Sequence, residues 1–290
     1  MKSFSDALVS IVDRVSPSVV QVSTGRGFGT GVVWDDQGHV VTNYHVVGRS
    51  PKIEVTTPDG KTVNAALVGQ DRYSDIAVLK VEGKSLPGAI SRGDSGSLAT
   101  GQFVLALANP FGDRVSAASG IITNPHGRMG GPWTDEQIIT DVRLNRGYSG
   151  GPLLDATGNM IGMNAAYFAN RGLAISIGVV TTTVQQILNN GSVKRAYLGI
   201  VSNPLELPED IAQATGQREG LIVLQVEQGT PAKKAGVAVG DIIVNVNSKK
   251  VESYNDLFRA LSSELIGKDV ELTVLRGEKE TKLSVVPREA

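Results

Sequence analysis

The stretch Gly147-Tyr148-Ser149-Gly150-Gly151-Pro152-Leu153 sets a serine among glycines. A serine hydroxyl is a poor nucleophile until a base takes its proton, and the tetrahedral oxyanion that follows needs donors already in place. Glycines on both sides let the backbone turn tightly enough for the amides of Gly147 and Ser149 to converge on one point. The base has to be a histidine, and the chain holds three, His39, His45 and His126. His45 ends a strand-like run, Val40-Val41-Thr42-Asn43-Tyr44-His45-Val46-Val47, whose branched neighbours would hold its ring. His39 follows the turn Asp35-Asp36-Gln37-Gly38 and reads as exposed, while His126 lies in a glycine-rich stretch and reads as part of a mobile loop. The acid that orients the base is best sought at Asp75, immediately before the apolar run Ile76-Ala77-Val78-Leu79, where it would be hidden from water and aimed at one imidazole nitrogen. Asp71 competes for that role but stands farther from the apolar run. Taken singly, each motif also has a plainer reading as a turn, a packed core histidine or a strand cap. Their joint occurrence in the order histidine, aspartate, serine points to a nucleophilic triad.

The elements that must carry these groups are short. The first helix-like segment places Phe4, Leu8, Ile11, Val12 and Val15 on one face, and Pro17 follows it. From Val19 to about residue 165, short β-like runs alternate with Gly, Asp and Asn turns, with little helix between them. That pattern favours antiparallel barrels or sandwiches. Residues 178–190 read as a helix with Val180, Val184, Ile187 and Leu188 on one face and Gly191 as its stop. A second β-rich unit then runs from about Arg195, with a helix expected at Tyr254–Leu265 and a shorter one at Pro208–Thr215.

Composition closes off other chemistries. Among 290 residues there is no cysteine, which excludes disulfides, thiolate metal sites and cysteine nucleophiles. Lys and Arg total 28 against 29 Asp and Glu, so there is no electrostatic case for nucleic acid or an anionic membrane. No run of about 18 apolar residues suggests a spanning helix, and Asp6, Asp13 and Arg14 interrupt the start before any signal-peptide core could form.

The second unit carries a different chemistry. A Leu198-Gly199-Ile200 turn offers successive amides to a terminal carboxylate, the strand after it can accept a peptide as an added strand, and a helix lines the other wall. Leu257 and Leu261 on that helix would supply an apolar pocket for the last side chain.

The phrases VVTNYHVV, DIAVLKV, NPFG and GYSGGPLLD, in that order, resemble the HtrA/Deg family of trypsin-like serine proteases. The resemblance covers nearly the whole chain. It implies a mainly β protein: a chymotrypsin-like double β-barrel protease domain over residues 1–192, followed by a PDZ domain, a β-rich α+β unit, over residues 195–290. By that match His45 is the general base, Asp75 orients it, Ser149 attacks, and the amides of Gly147 and Ser149 hold the oxyanion. Arg143 and Arg171 match positions bordering the primary specificity pocket. If their guanidinium groups are buried there, they favour an acidic residue before the scissile bond; otherwise they point outward. Ala165, Ala166 and Tyr167 match the strand that pairs with substrate backbone, and Leu198, Gly199 and Ile200 match the loop that takes a peptide carboxylate. The family needs no cofactor or metal.

The resemblance further implies unfolded or misfolded polypeptide as substrate, peptide C-termini at the PDZ groove, and assembly as a homotrimer or larger oligomer, with Phe4 a candidate contact. It implies an extracytoplasmic setting, periplasmic or in the cell envelope, once a leader has been removed. The loop around Pro125–Glu136, with Gly127, Gly130 and Gly131, matches the region that relays peptide binding to the active site. Tyr148 and Arg146 depart from the family's usual Asn and Pro, and keep open a non-catalytic chaperone or peptide-binding scaffold on the same fold.

Overall fold

In the computed structural model, which describes residues 2–81, 86, 88–127, 137–277 and 279–289, the amphipathic start forms helix α1 (Lys2–Val15). It buries Ile11 and Val15 and leaves Phe4 and Val9 exposed, although the Phe4 ring meets Phe103 edge-on at 5.5 Å. The chain divides into two compact units, Met1–Val193 and Lys194–Ala290. Among the described residues, no helix is long and apolar enough to cross a membrane.

The first unit holds two closed six-stranded barrels. The first is built from β1 (Val19–Thr24), β2 (Gly27–Val33), β3 (His39–Asn43), β4 (Ile53–Thr56), β5 (Thr62–Asp71) and β6 (Ile76–Val81), with a one-turn helix α2 (Tyr44–Val47) after β3. The second uses β7 (Phe103–Ala108), β8 (Ser116–Gly127), β9 (Gln137–Thr140), β10 (Pro152–Leu154), β11 (Met160–Phe168) and β12 (Arg171–Ser176). Helix α3 (Ile177–Asn190) closes the unit, its first turn capped by the Ser176 hydroxyl and its end by Gly191 at φ 74°.

Period-two alternation explains how both barrels stay together. In β6, Ala77, Leu79 and Val81 point into the first barrel with Val20, Val22 and Val40, whereas Ile76 and Val78 point outward. In β7, Val104, Ala106 and Ala108 fill the second barrel, and Leu105 and Leu107 face the other way. The outward sets meet in one shared core with Ile11, Val15 and the buried face of α3. Each buried Leu or Ile side chain in these layers contributes about 2 kcal/mol.

The structure also revises several expectations. His126 belongs to the end of β8 rather than to a loop, and residues 128–136 of the expected relay loop lie outside the described residues. His39 opens β3, and its side chain is 12% exposed and hydrogen-bonded to Asp35 at 2.6 Å, so it is not the solvent-facing residue its turn suggested. Strands β5, β8 and β12 were not legible, since Asn, Ser, Gly and Ala dilute their pattern, and β10 is only three residues long.

The second unit is a sheet of β14 (Ile200–Glu206), β15 (Glu219–Val226), β16 (Ile242–Val246), β18 (Val270–Arg276) and β19 (Lys279–Val285), in that order, with β17 (Lys249–Lys250) paired to β16. A small ladder joins β13 (Ala196–Tyr197) to β20 (Arg288–Glu289). Helices α4 (Glu209–Thr215), α5 (Pro231–Lys234) and α6 (Tyr254–Ala260) complete it. The α6 helix is shorter than its apolar spacing predicts. Ser253 and Asp256 form a capping box at its start, Leu261 leaves helical geometry, and Leu265 sits in a separate 3-10 turn.

Candidate active site

Asp75 stands in a tight turn between β5 and β6, with φ at 56°, a left-handed value that aspartate tolerates better than most residues. The turn is braced by Asp71, whose Oδ2 accepts the Ser74 amide at 2.8 Å and the Ser74 hydroxyl at 2.6 Å. From β3 and α2, the Asn43 side-chain amide and the Tyr44 backbone amide both donate to the Asp75 carbonyl at 3.0 Å. The Asp75 carboxylate is thereby aimed at His45, the residue after Tyr44. It accepts the His45 backbone amide on Oδ1 at 2.9 Å and the His45 ring on Oδ2 at 2.7 Å. Asp75 is 3% exposed, whereas the His45 side chain is 41% exposed, so the acid is dry and the base faces the solvent side. A carboxylate can only accept here, which puts the ring proton on Nδ1 and leaves Nε2 as the proton acceptor. Asp71, the competing acid, is therefore a brace.

Ser149 is held between the barrels. Its backbone carbonyl accepts the Thr30 amide at 2.8 Å, and its hydroxyl donates to the Ala165 carbonyl at 3.0 Å, at a bulge in β11. The preceding turn is closed by the Tyr148 amide donating to Asn145 O at 3.2 Å, with Gly147 at φ 95°, a conformation that asks for glycine. The Gly150 and Gly151 amides donate to Asn164 O and Tyr148 O, both at 2.9 Å. The Gly147 and Ser149 amides have no partner among the described residues, and these are the two that the sequence nominates as oxyanion donors. Gly150 is obligatory, because a Cβ there would lie 2.0 Å from the Thr30 carbonyl.

Sequence reasoning missed Thr30. Its hydroxyl donates to Gly147 O at 2.7 Å and accepts the Asn109 amide at 2.9 Å, and its carbonyl accepts the Thr42 hydroxyl at 2.6 Å. In the sequence it shows only as a threonine between Gly29 and Gly31, and the structure adds that a Cβ at either glycine would clash.

His45, Ser149 and Gly147 line one cleft of about 370 Å³, together with Phe28, Arg26, Val46 to Ser50, and Arg146. Tyr148 turns inward and is buried in the second barrel, where burial raises the pKa of its phenol, so it does not fill the cleft. Arg146 turns outward over the Phe28 ring at 5.3 Å. Arg143 and Arg171 are both exposed and line no part of this cleft. Ala165 is buried beside the Ser149 hydroxyl, Ala166 is half-buried and Tyr167 is 40% exposed.

In the second unit, Gly199 adopts φ 84°, and a Cβ there would strike Thr230 at 2.3 Å. The Leu198 carbonyl accepts the Ala232 amide and the Gly199 carbonyl the Glu227 amide, both at 2.9 Å, and Ile200 opens edge strand β14. Leu257 and Leu261 are each 7% exposed and packed in the core of this unit, so α6 shows Phe258, at 39%, as its exposed large apolar side chain.

A trypsin-like peptidase domain model matches residues 29–163, and a PDZ domain model matches residues 196–286. Protease Do-like 1, chloroplastic, of Arabidopsis thaliana is 37% identical over 282 residues, covering 90% of this chain and 63% of its own. The periplasmic pH-dependent serine endoprotease DegQ of Escherichia coli is 37% identical over 271 residues, covering 90% of this chain and 59% of its own. The chain therefore spans about three-fifths of the length of these curated relatives. Among solved structures, the HtrA-type protease AlgW with a tripeptide superposes with a TM-score of 0.84 at 30% identity, covering 99% of this chain and 97% of the other. The serine endoprotease from Yersinia pestis gives a TM-score of 0.78 at 29% identity, covering 97% of both. With the two domain models matched in order and a solved relative of this identity along almost its full length, the chain belongs to the HtrA/Deg family of trypsin-like serine proteases that carry a PDZ domain.

Proposed function

We propose that this chain is a serine endopeptidase that hydrolyses peptide bonds of unfolded or misfolded polypeptide. The observation that carries the reading is the buried Asp75 carboxylate accepting a hydrogen bond from His45 Nδ1 at 2.7 Å while His45 and Ser149 line the same cleft. In the reaction, His45 Nε2 accepts the Ser149 proton as Oγ attacks the carbonyl carbon, and the amides of Gly147 and Ser149 receive the oxyanion. His45 then returns the proton to the leaving amine, and water repeats the sequence on the acyl-enzyme. The Ser149 hydroxyl rests on the Ala165 carbonyl. A substrate amide pairing along Ala165–Tyr167 takes that carbonyl and frees the hydroxyl for His45.

The peptidase domain is assigned to residues 1–192 and the PDZ domain to residues 195–290, the latter taking peptide C-termini at Leu198, Gly199 and Ile200 and regulating cleavage. An extracytoplasmic setting accords with relatives named periplasmic. Assembly as a homotrimer through the exposed Phe4 face belongs to the same proposal. No observation favours the non-catalytic scaffold, since Tyr148 is buried in the second barrel and Arg146 is stacked over the Phe28 ring at the cleft wall. The test is labelling by a fluorophosphonate with site mapping, run beside casein cleavage. Labelling at Ser149 and cleavage lost in Ser149→Ala support the reading. Casein left whole, with Ser149 unlabelled, refutes it.

A further inference from the structure

The cleft that holds His45 and Ser149 has a charge that the triad does not explain. Arg26, Arg49 and Arg146 line it, and neither Asp nor Glu is among its lining residues. All three arginines are exposed, and none has a carboxylate partner among the described residues. The chain as a whole is balanced, with 28 basic and 29 acidic residues, so this is a local arrangement and not general basicity. Arg146 is also held in place: its guanidinium lies 5.3 Å over the Phe28 ring, which leans on Phe111 at 6.4 Å. Asp75 is buried behind the His45 ring and committed to it.

Chemistry fixes which part of a substrate enters this cleft. His45 must hand its proton to the departing amine, so the leaving segment lies on the histidine side of Ser149. The cleft is that side, because its wall continues from His45 through Ser50 and includes no residue of β11 or β12. We propose that Arg26, Arg49 and Arg146 select substrates with Asp or Glu side chains in the first few residues after the scissile bond. This deepens the endopeptidase reading and rests on it. Guanidinium groups without a carboxylate partner gain charge-assisted hydrogen bonds from an incoming one.

The experiment compares kcat/KM for C-terminally amidated peptides that differ only after the scissile bond, carrying Asp, Asn or Lys at each of the first three positions. Amidation removes the terminal carboxylate as a rival source of charge. The expected result is a preference for Asp over Asn of about tenfold at one or more positions, with Lys worse than Asn. The preference should fall towards unity in the combined Arg26→Gln, Arg49→Gln, Arg146→Gln variant, and Arg49→Glu should shift it towards Lys. Ratios are read within each variant, and fluorophosphonate labelling of Ser149 certifies that the variant's site is intact. Equal cleavage of the Asp and Asn peptides by the wild type, or an unchanged preference in the labelled triple variant, overturns the inference while leaving the protease reading in place. A wild type that cleaves no peptide and does not label at Ser149 overturns both.

Discussion

The Thr30 hydroxyl in β2 donates to the Gly147 carbonyl at 2.7 Å, tying the first barrel to the loop that carries Gly147 and Ser149, the proposed oxyanion donors. The same oxygen accepts the Asn109 amide at 2.9 Å, and both contacts are buried. Thr30→Val keeps the shape and removes the donor, leaving two buried backbone groups unpaired at about 1–3 kcal/mol each. Thr30 is a positioning residue, so the effect should fall on the step in which charge develops. We expect kcat for a peptide substrate to drop by about tenfold to a hundredfold, with KM little changed and activity recovered in Thr30→Ser. Equal losses in kcat and in folding stability, without rescue by serine, would make the bond merely structural.

Much of this site was legible because its chemistry depends on rare residue types. Three histidines and one Gly-x-Ser-Gly-Gly run left few combinations, and the apolar strand after Asp75 marked a dry place for an acid. What could not be read was the scaffold's use of small polar residues. Thr30, Thr42 and Asn109 look like ordinary turn or strand residues until the barrels bring Thr30 within hydrogen-bond reach of Gly147 and Ser149, 117 positions from the first of them, with Thr42 and Asn109 bonded to Thr30 itself. The weakly patterned β5 and β8 are held by closure of their barrels, with strands paired on both sides, so they need no strong apolar alternation of their own. The reverse error occurred at α6, where the spacing of Leu257, Leu261 and Leu265 suggested one helix although Leu261 departs from helical geometry.

Asp75→Asn should leave the turn largely intact, since the Asn43 and Tyr44 contacts go to its backbone carbonyl. An amide at this position can present its NH₂ to the ring and so hold the wrong histidine tautomer. A loss in kcat of about 10⁴ is expected, as for such exchanges in triads generally. Thermal unfolding measured alongside should shift far less than kcat, because one buried acceptor is exchanged for a near-isostere. Ser74→Ala, which removes a hydroxyl donated to Asp71 at 2.6 Å, should cost activity only in proportion to loosening of the turn.

In the second unit, acid should act through Asp241. Burial by itself would raise its pKa, but hydrogen bonds from Arg276 at 2.8 Å and from the Ala238 amide at 2.9 Å outweigh that and hold the carboxyl below the usual value. A carboxyl lowered by folding contributes stability that is full above the unfolded-state value of about 4 and is lost as pH falls through the folded one. Arg276 remains charged throughout, so Asp241 sets the window. Amide-exchange protection in β16 and β18, compared between pH 6 and pH 3 in the full chain, should fall on acidification. Asp241→Asn should show lower protection at pH 6 and a flatter pH profile. An unchanged slope would assign the acid sensitivity to another carboxylate.

The groove beside β14 has a guard that bears on peptide affinity. Val223 gives its amide to Asp241 O at 2.8 Å and takes the Gly240 amide at 2.9 Å, so its main-chain groups face β16. Ser202 stands opposite Val223 in the β14–β15 ladder, and its carbonyl therefore points away from β15, to the free edge of the sheet. The Tyr254 hydroxyl, at the start of α6, donates to that carbonyl and lies 2.6 Å from Asn203 Oδ1. A peptide added as a strand must take Ser202 O for itself and displace the phenol. Burial raises the Tyr254 pKa, which keeps the hydroxyl a neutral donor at ordinary pH. Tyr254→Phe keeps the ring and removes the competing donor, so a peptide ending in a free carboxylate should bind about fivefold more tightly, the equivalent of one neutral hydrogen bond of about 1 kcal/mol. Calorimetric titration of the full chain with such a peptide measures this. Weaker binding in the variant would mean that the hydroxyl contacts the bound peptide and does not compete with it.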